Sequence, residues 1–84
     1  MHCAIYKGPK KIDHYLYVQE EDDFERVPEA LQKLLGPLQL VMTLTLSEDR
    51  PLAQADVTEV MRALREQGYY LQMPPKVIEP RLDS

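Results

Sequence analysis

The 84-residue chain has no tryptophan, one phenylalanine, three glycines and one cysteine. A lone Cys3 excludes an intramolecular disulfide, and with two histidines no four-ligand zinc site of the usual Cys/His type is apparent. Glycine is too scarce for a phosphate-cradling loop. Gly8-Pro9-Lys10-Lys11 contains one glycine and lacks the loop-to-helix setting that a P-loop requires. No apolar run approaches the roughly 20 residues that cross a bilayer, and the N-terminus lacks the apolar core of a signal peptide. Positive charge is also in deficit: ten Lys and Arg stand against fourteen Asp and Glu, for a net charge of −4. That balance argues against strong non-specific binding to nucleic acid. Nothing resembles a Ser/His/Asp set or a nucleophile elbow. The expectation is a soluble intracellular protein with no metal, no cofactor and no membrane partner.

What is present begins with Leu38-Gln39-Leu40-Val41-Met42-Thr43-Leu44-Thr45-Leu46. Every even position is a large aliphatic residue, and a period of two over nine residues is a strand. Its leucine face and its Val/Thr face leave little for water, so the strand is expected in the interior of a sheet. A chain of this length forms one domain, stable by about 4–12 kcal/mol.

Other elements follow from the same reading. Met1–Lys7 alternates as a strand, Gly8-Pro9 turns it, and His14–Gln19 returns as its antiparallel partner. Glu20-Glu21-Asp22-Asp23 precedes a helix with Pro28 in its first turn; Val27, Ala30, Leu31, Leu34 and Leu35 form its apolar stripe. Gly36-Pro37 ends it. The acidic run suits a helix N-terminus better than a calcium loop, whose glycine and spacing are missing. Ser47–Pro51 is a turn, and a second helix over Gln54–Gln67 carries Val57, Val60, Met61 and Leu64 on one face before Gly68 closes it. Tyr69–Met73 is a fourth strand stopped by Pro74-Pro75, and residues 76–84 read as a flexible tail.

The order is thus β-β-α-β-α-β. A helix joins the last two strands, so if they share a sheet they are expected to be parallel, which makes a mixed four-stranded sheet. The hairpin register decides how the faces are filled. If Tyr6 faces Tyr15, the aliphatic residues share one face and leave a tyrosine-rich face opposite. If Tyr6 faces His14, both faces mix aliphatic and aromatic residues and both need cover.

Three groups of side chains carry possible chemistry. Lys7, Lys10 and Lys11 concentrate positive charge around one turn, as a solvated loop or as a contact for phosphate or carboxylate. His2 and His14 could approach across the hairpin, but Cys3 points to the opposite face from His2 and alternates with apolar Met1 and Ile5, as a buried inert thiol would. Five tyrosines (Tyr6, Tyr15, Tyr17, Tyr69 and Tyr70) fall in strands, where core packing is their ordinary role. The sharper reading gathers Tyr6, Lys7, Lys10, Lys11, Tyr17, Tyr70 and Gln72 into a binding surface at the sheet edge, able to stack a base or hold a polar molecule. The element order and aromatic pattern are not those of an RNA-recognition motif.

Tyr6-Lys7, Tyr15-Leu16-Tyr17, Val27-Pro28-Glu29-Ala30-Leu31, Leu40-Val41-Met42-Thr43-Leu44 and above all Gly68-Tyr69-Tyr70-Leu71-Gln72-Met73-Pro74-Pro75 resemble the YcgL-domain family of small bacterial proteins. The likeness spans residues 1–75. It implies a single α/β domain layered as an α/β/α sandwich, with helices on both sheet faces. It also implies a link to RNA metabolism, through a gene neighbour for ribonuclease D, and supplies no catalytic residues. The functional expectation is a non-enzymatic binding or adaptor domain of the bacterial cytoplasm, with a protein or RNA partner that is ribonuclease-related. The alternative is a small enzyme using a Tyr/Lys-lined cleft, which would require a tyrosine or lysine pKa well below its usual ~10. A purely structural subunit would instead expose a large apolar patch.

Overall fold

The computed structural model describes residues 1–50, 52 and 56–73. It is a small α+β domain: β1 (His2–Gly8), β2 (Lys11–Val18), α1 (Glu29–Leu35), β3 (Gln39–Thr45), α2 (Val57–Glu66) and β4 (Tyr69–Gln72). The strands lie in the order β3-β1-β2-β4. Every neighbouring pair is antiparallel, so the expected mixed sheet is corrected to a fully antiparallel one. The reason is spatial. The β1–β2 hairpin takes the centre, and β3 and β4 add to opposite flanks without touching. The α2 connection leaves β3 and enters β4 at the same end of the sheet, so the parallel-neighbour rule for strand-helix-strand units does not apply.

The hairpin adopts neither contact considered from the sequence, since Tyr6 pairs with Leu16 and Ile5 with Tyr17. Its parity is that of the Tyr6–His14 alternative, and its consequence holds: aliphatic and aromatic residues mix on both sides. Cys3, Ile5 and Tyr17 pack with Leu46, Val57, Val60 and Leu64. Ala4, Tyr6, Leu16 and Val18 pack with Val27 and Leu35. Burying a Leu or Val side chain contributes about 1.5–3 kcal/mol, so both clusters are needed to hold so short a chain.

The leucine strand departs from expectation. β3 is an edge strand, and Leu40, Val41 and Met42 are 42%, 43% and 50% exposed. Its register against β1 shifts between Ile5, opposite Met42, and Tyr6, opposite Leu40. Val41 is the extra residue of a bulge, and a bulge reverses the face of everything beyond it. Leu44 therefore packs with the α2 cluster while Leu38 packs with the α1 cluster. The alternation that reads as one leucine face is divided between two.

α1 is short. Its ladder begins at Pro28, whose carbonyl accepts from the Leu31 and Gln32 amides, and it ends as the Gly36 N–H donates to the Gln32 carbonyl at 3.0 Å. Gly36 stands at φ 86°, the left-handed conformation that glycine adopts without strain. Of the predicted stripe, Val27 and Leu35 are buried and Leu31 half-buried, while Ala30 and Leu34 face outward. Gly8 is fixed by contact rather than by turn geometry, because a Cβ there would collide with the Leu35 carbonyl. In α2, Val57, Val60 and Leu64 are buried as the stripe predicts, and Met61 packs against the same cluster. Asp56 caps the helix, accepting from the Thr58 N–H at 2.9 Å. The proposed helix start at Gln54, the stop at Pro74-Pro75 and the tail over 76–84 lie outside the described residues.

Two tethers join distant segments. The Met1 ammonium donates to the Leu46 carbonyl at 2.8 Å, and the Leu46 N–H donates back to the Met1 carbonyl at 2.7 Å. Arg26, ahead of α1, reaches the last turn of α2, donating from Nη2 to the Glu66 carbonyl at 3.1 Å. It crosses Gly68, where a Cβ would stand only 2.6 Å from its Cδ. A cation suits the exposed carbonyls of a helix C-terminus.

Candidate functional site

A groove of about 480 Å³ opens beside α2 on the sheet face that carries Ile5, Tyr15 and Tyr17. Met42 and Leu44 of β3 form one wall, Gln72 of β4 stands on the other side, and Val41 and Leu52 complete the lining. The walls arise from pairing: Ile5 is opposite Met42 and Tyr17, and Tyr15 is opposite Gln72. Paired residues on neighbouring strands share a face, so four strands deliver these side chains to one concavity.

A polar contact lies within this apolar surface. The Tyr17 hydroxyl donates to Gln72 Oε1 at 2.6 Å, and both residues are buried. The Tyr17 ring meets Tyr70 edge-on, with centroids 5.7 Å apart. Burial pushes the Tyr17 hydroxyl pKa above its ordinary value, and Cys3, Tyr70 and Tyr15 add to the effect through charge. At neutral pH it is a fixed neutral donor. The groove can take apolar groups and align them against an oriented amide–phenol pair, and among the described residues its lining carries no charged group.

Residues expected to form a single surface fall into three places. Tyr17, Tyr70 and Gln72 cluster at the α2 side, although Tyr70 opens onto a separate cleft with Glu59, Arg62 and Glu66. Tyr6 points to the other face and is 2% exposed. There its hydroxyl receives the Asp22 N–H at 2.7 Å and its ring meets Phe24 edge-on at 4.8 Å. Its pKa is also raised, chiefly by burial. Lys7, Lys10 and Lys11 are exposed at the far end of the hairpin, and Lys10 Nζ contacts the Lys33 carbonyl at 3.4 Å. Lys7 borders a cleft of about 440 Å³ with Pro9, Ile12, Pro37 and Leu38, which contains no tyrosine.

Other sequence candidates are relocated too. The register puts His2 and His14 at opposite ends of the hairpin, since Ala4 pairs with Val18 and Tyr6 with Leu16. The acidic run does not adjoin a helix, because α1 starts at Glu29. It forms a turn in which the Asp23 N–H donates to the Glu20 carbonyl, with Asp22 at φ 63° gripping Tyr6. Among the described residues no three His, Cys, Asp or Glu side chains converge as a metal site, and no helix is long and apolar enough to cross a membrane.

Of the groove lining, the candidate surface read from the sequence contains Tyr17 and Gln72 but not Ile5, Tyr15, Val41, Met42, Leu44 or Leu52. Strand alternation could have paired Tyr15 with Tyr17, but the β3 contribution depends on a bulge that leaves no local signature.

Comparison with known proteins agrees with this architecture in extent. Residues 3–75 match the model of the YcgL domain. A YcgL domain-containing protein of Pectobacterium carotovorum subsp. carotovorum is 53% identical over 77 residues, covering 92% of this chain and 91% of that protein. One of Shewanella denitrificans is 51% identical over 75 residues, covering 89% and 79%. Protein YcgL of Salmonella arizonae is 53% identical over 75 residues, covering 89% and 68%. The match spans β1 through β4 and the groove between them, and the chain belongs to the YcgL domain family.

Proposed function

We propose that this chain is a non-enzymatic binding domain of the bacterial cytoplasm, and that the groove beside α2 receives an apolar segment of a partner protein. The observation that carries the reading is the groove itself: apolar walls around the Tyr17–Gln72 hydrogen bond, with no charged side chain among the described lining residues. Pockets of this kind draw affinity from apolar burial and orientation from a few fixed polar groups. The same observation disfavours RNA in the groove, because phosphate contacts need Lys or Arg. It also disfavours the enzyme alternative. Lys7 lies in a different cleft from the tyrosines, and the shifts at Tyr6 and Tyr17 are upward, away from acid–base work at neutral pH. A ribonuclease-related protein is the first partner to test, from the link that the family likeness implies. The finer layering belongs to this proposal: the two core clusters support an α/β/α sandwich in which each helix covers one sheet face, α2 incompletely.

The test is affinity capture from bacterial lysate with three baits: wild type, Tyr15→Glu, and Lys7→Gln/Lys10→Gln/Lys11→Gln. The expected result is a protein partner held by the wild type and by the lysine triple variant and lost by Tyr15→Glu. The reverse pattern moves the site to the hairpin lysines. Thermal unfolding of each bait separates lost binding from lost folding.

A further inference from the structure

The outer side of β3 carries a second interaction surface, and it goes beyond the groove. The strand is seven residues long, about 23 Å at the usual rise, and no described residue pairs with its outer edge. Unpaired edges of this length are ordinarily guarded by charge, proline or a covering element. From Leu38 to Ser47 there is neither a charged residue nor a proline, and Leu40, Val41 and Met42 are 42–50% exposed. Among the described residues, the bulge at Val41 is the one guard that β3 has. β4 at the opposite edge is different: it has four residues, all buried or half-buried.

We propose that a second copy of this chain pairs with the β3 edge, antiparallel about a two-fold axis, so that two four-stranded sheets become one of eight strands. Charge selects this occupant and this orientation. β1 and β3 are antiparallel, so Lys7 lies beside Gln39 at the start of β3, and the turn carrying Lys10 and Lys11 lies at that same end. The other end of β3 runs into Glu48 and Asp49, ahead of Arg50. The amino terminus is there as well, but it is engaged by the Leu46 carbonyl. Antiparallel pairing sets each copy's lysine end against the other's two carboxylates, twice over, whereas parallel pairing sets lysine against lysine. The uncharged strand between them admits its own copy without like-charge contact. Because the axis is perpendicular to the sheet, both grooves open on the same side. Met42 belongs to the groove wall and to the edge, so the two surfaces adjoin.

Met42 is the central residue of β3 and meets its own counterpart near the axis. The test is sedimentation equilibrium of the full chain from micromolar to millimolar concentration, with Met42→Lys and Met42→Glu alone and mixed. The expected result is a concentration-dependent doubling of mass for the wild type, monomers for each variant alone, and a restored dimer in the equimolar mixture. Restoration by mixing also establishes that both variants are folded. A wild type that stays monomeric throughout overturns the proposal, whether the edge is then taken by the segment after Gln72 or by another protein. So does a dimer that survives Met42→Lys, or a mixture that stays monomeric. The groove reading stands apart from these outcomes, because Tyr15→Glu lies on β2 and tests partner capture, not self-association.

Discussion

Cys3 lies at zero exposure between Leu46 and the α2 residues Val57, Val60 and Leu64. Burial pushes its thiol from the ordinary 9.0 up to about 11, with the amino terminus pulling weakly the other way. The unfolded thiol ionises first, so the unfolded chain binds fewer protons between those values. Stability should be intact below about pH 9 and decline as pH rises toward about 11. The raised Tyr6 and Tyr17 hydroxyls act with the same sign above their ordinary value of 10.0. Urea midpoints at about pH 8 and about pH 10.5 check this, and a Cys3→Ala chain should lose less over the same interval. At neutral pH a thiol reagent should label Cys3 only as fast as the protein unfolds; rapid labelling of the native chain would refute its burial. Elsewhere in the core, Leu16 is fully buried and Leu44 half-buried at an edge. Leu16→Ala should cost about 2–5 kcal/mol, and Leu44→Ala about 1–2 kcal/mol, since fewer atoms leave the interior. Equal shifts in denaturation midpoint would mean that β3 is buried more deeply than its edge position allows.

The elements themselves were largely legible in the sequence, for local reasons. The α2 stripe of Val57, Val60, Met61 and Leu64 repeats at helical spacing, and one helix has one inward side, so the pattern fixed its packing. The β1 alternation of Cys3 and Ile5 against Ala4 and Tyr6 was equally readable, and both sets are buried. The period of two in β3 marks a strand, but its apolar Val/Thr side points to the sheet interior, whereas β3 lies at the edge. A bulge depends on what the partner strand does at Ile5 and Tyr6, and no residue of β3 encodes that alone. The same limit scattered the candidate site. Tyr6 and Tyr17 look equivalent in sequence, yet the register sends them to opposite faces. Leu34 belongs to the α1 stripe by spacing yet faces outward for a related reason, since α1 has only seven residues and its contact with the sheet centres on Leu35.

At the scale of the whole molecule, a two-cluster core built on one sheet needs something that prevents the clusters from opening independently. Part of that coupling runs through β1, which feeds alternate residues to both. Another part is Arg26, two residues after Phe24 of the α1-side cluster and bonded to the last turn of α2. Gln67 and Gly68 donate their amides to the Ala63 carbonyl just beneath it. Helix ends fray at little free-energy cost, and their amides exchange with solvent on that local opening rather than on global unfolding. A guanidinium anchored in a different segment joins those openings. The amides of Gln67 and Gly68 should exchange with deuterium more slowly than an unclasped helix end would allow. Arg26→Met should raise their exchange rates while leaving the central amides of β1 unaffected. If the last turn of α2 exchanges at the same rate in both chains, the clasp is a contact without a dynamic role. If the rates diverge, the loop before α1 sets how often the far end of α2, and with it the entry to β4, comes undone.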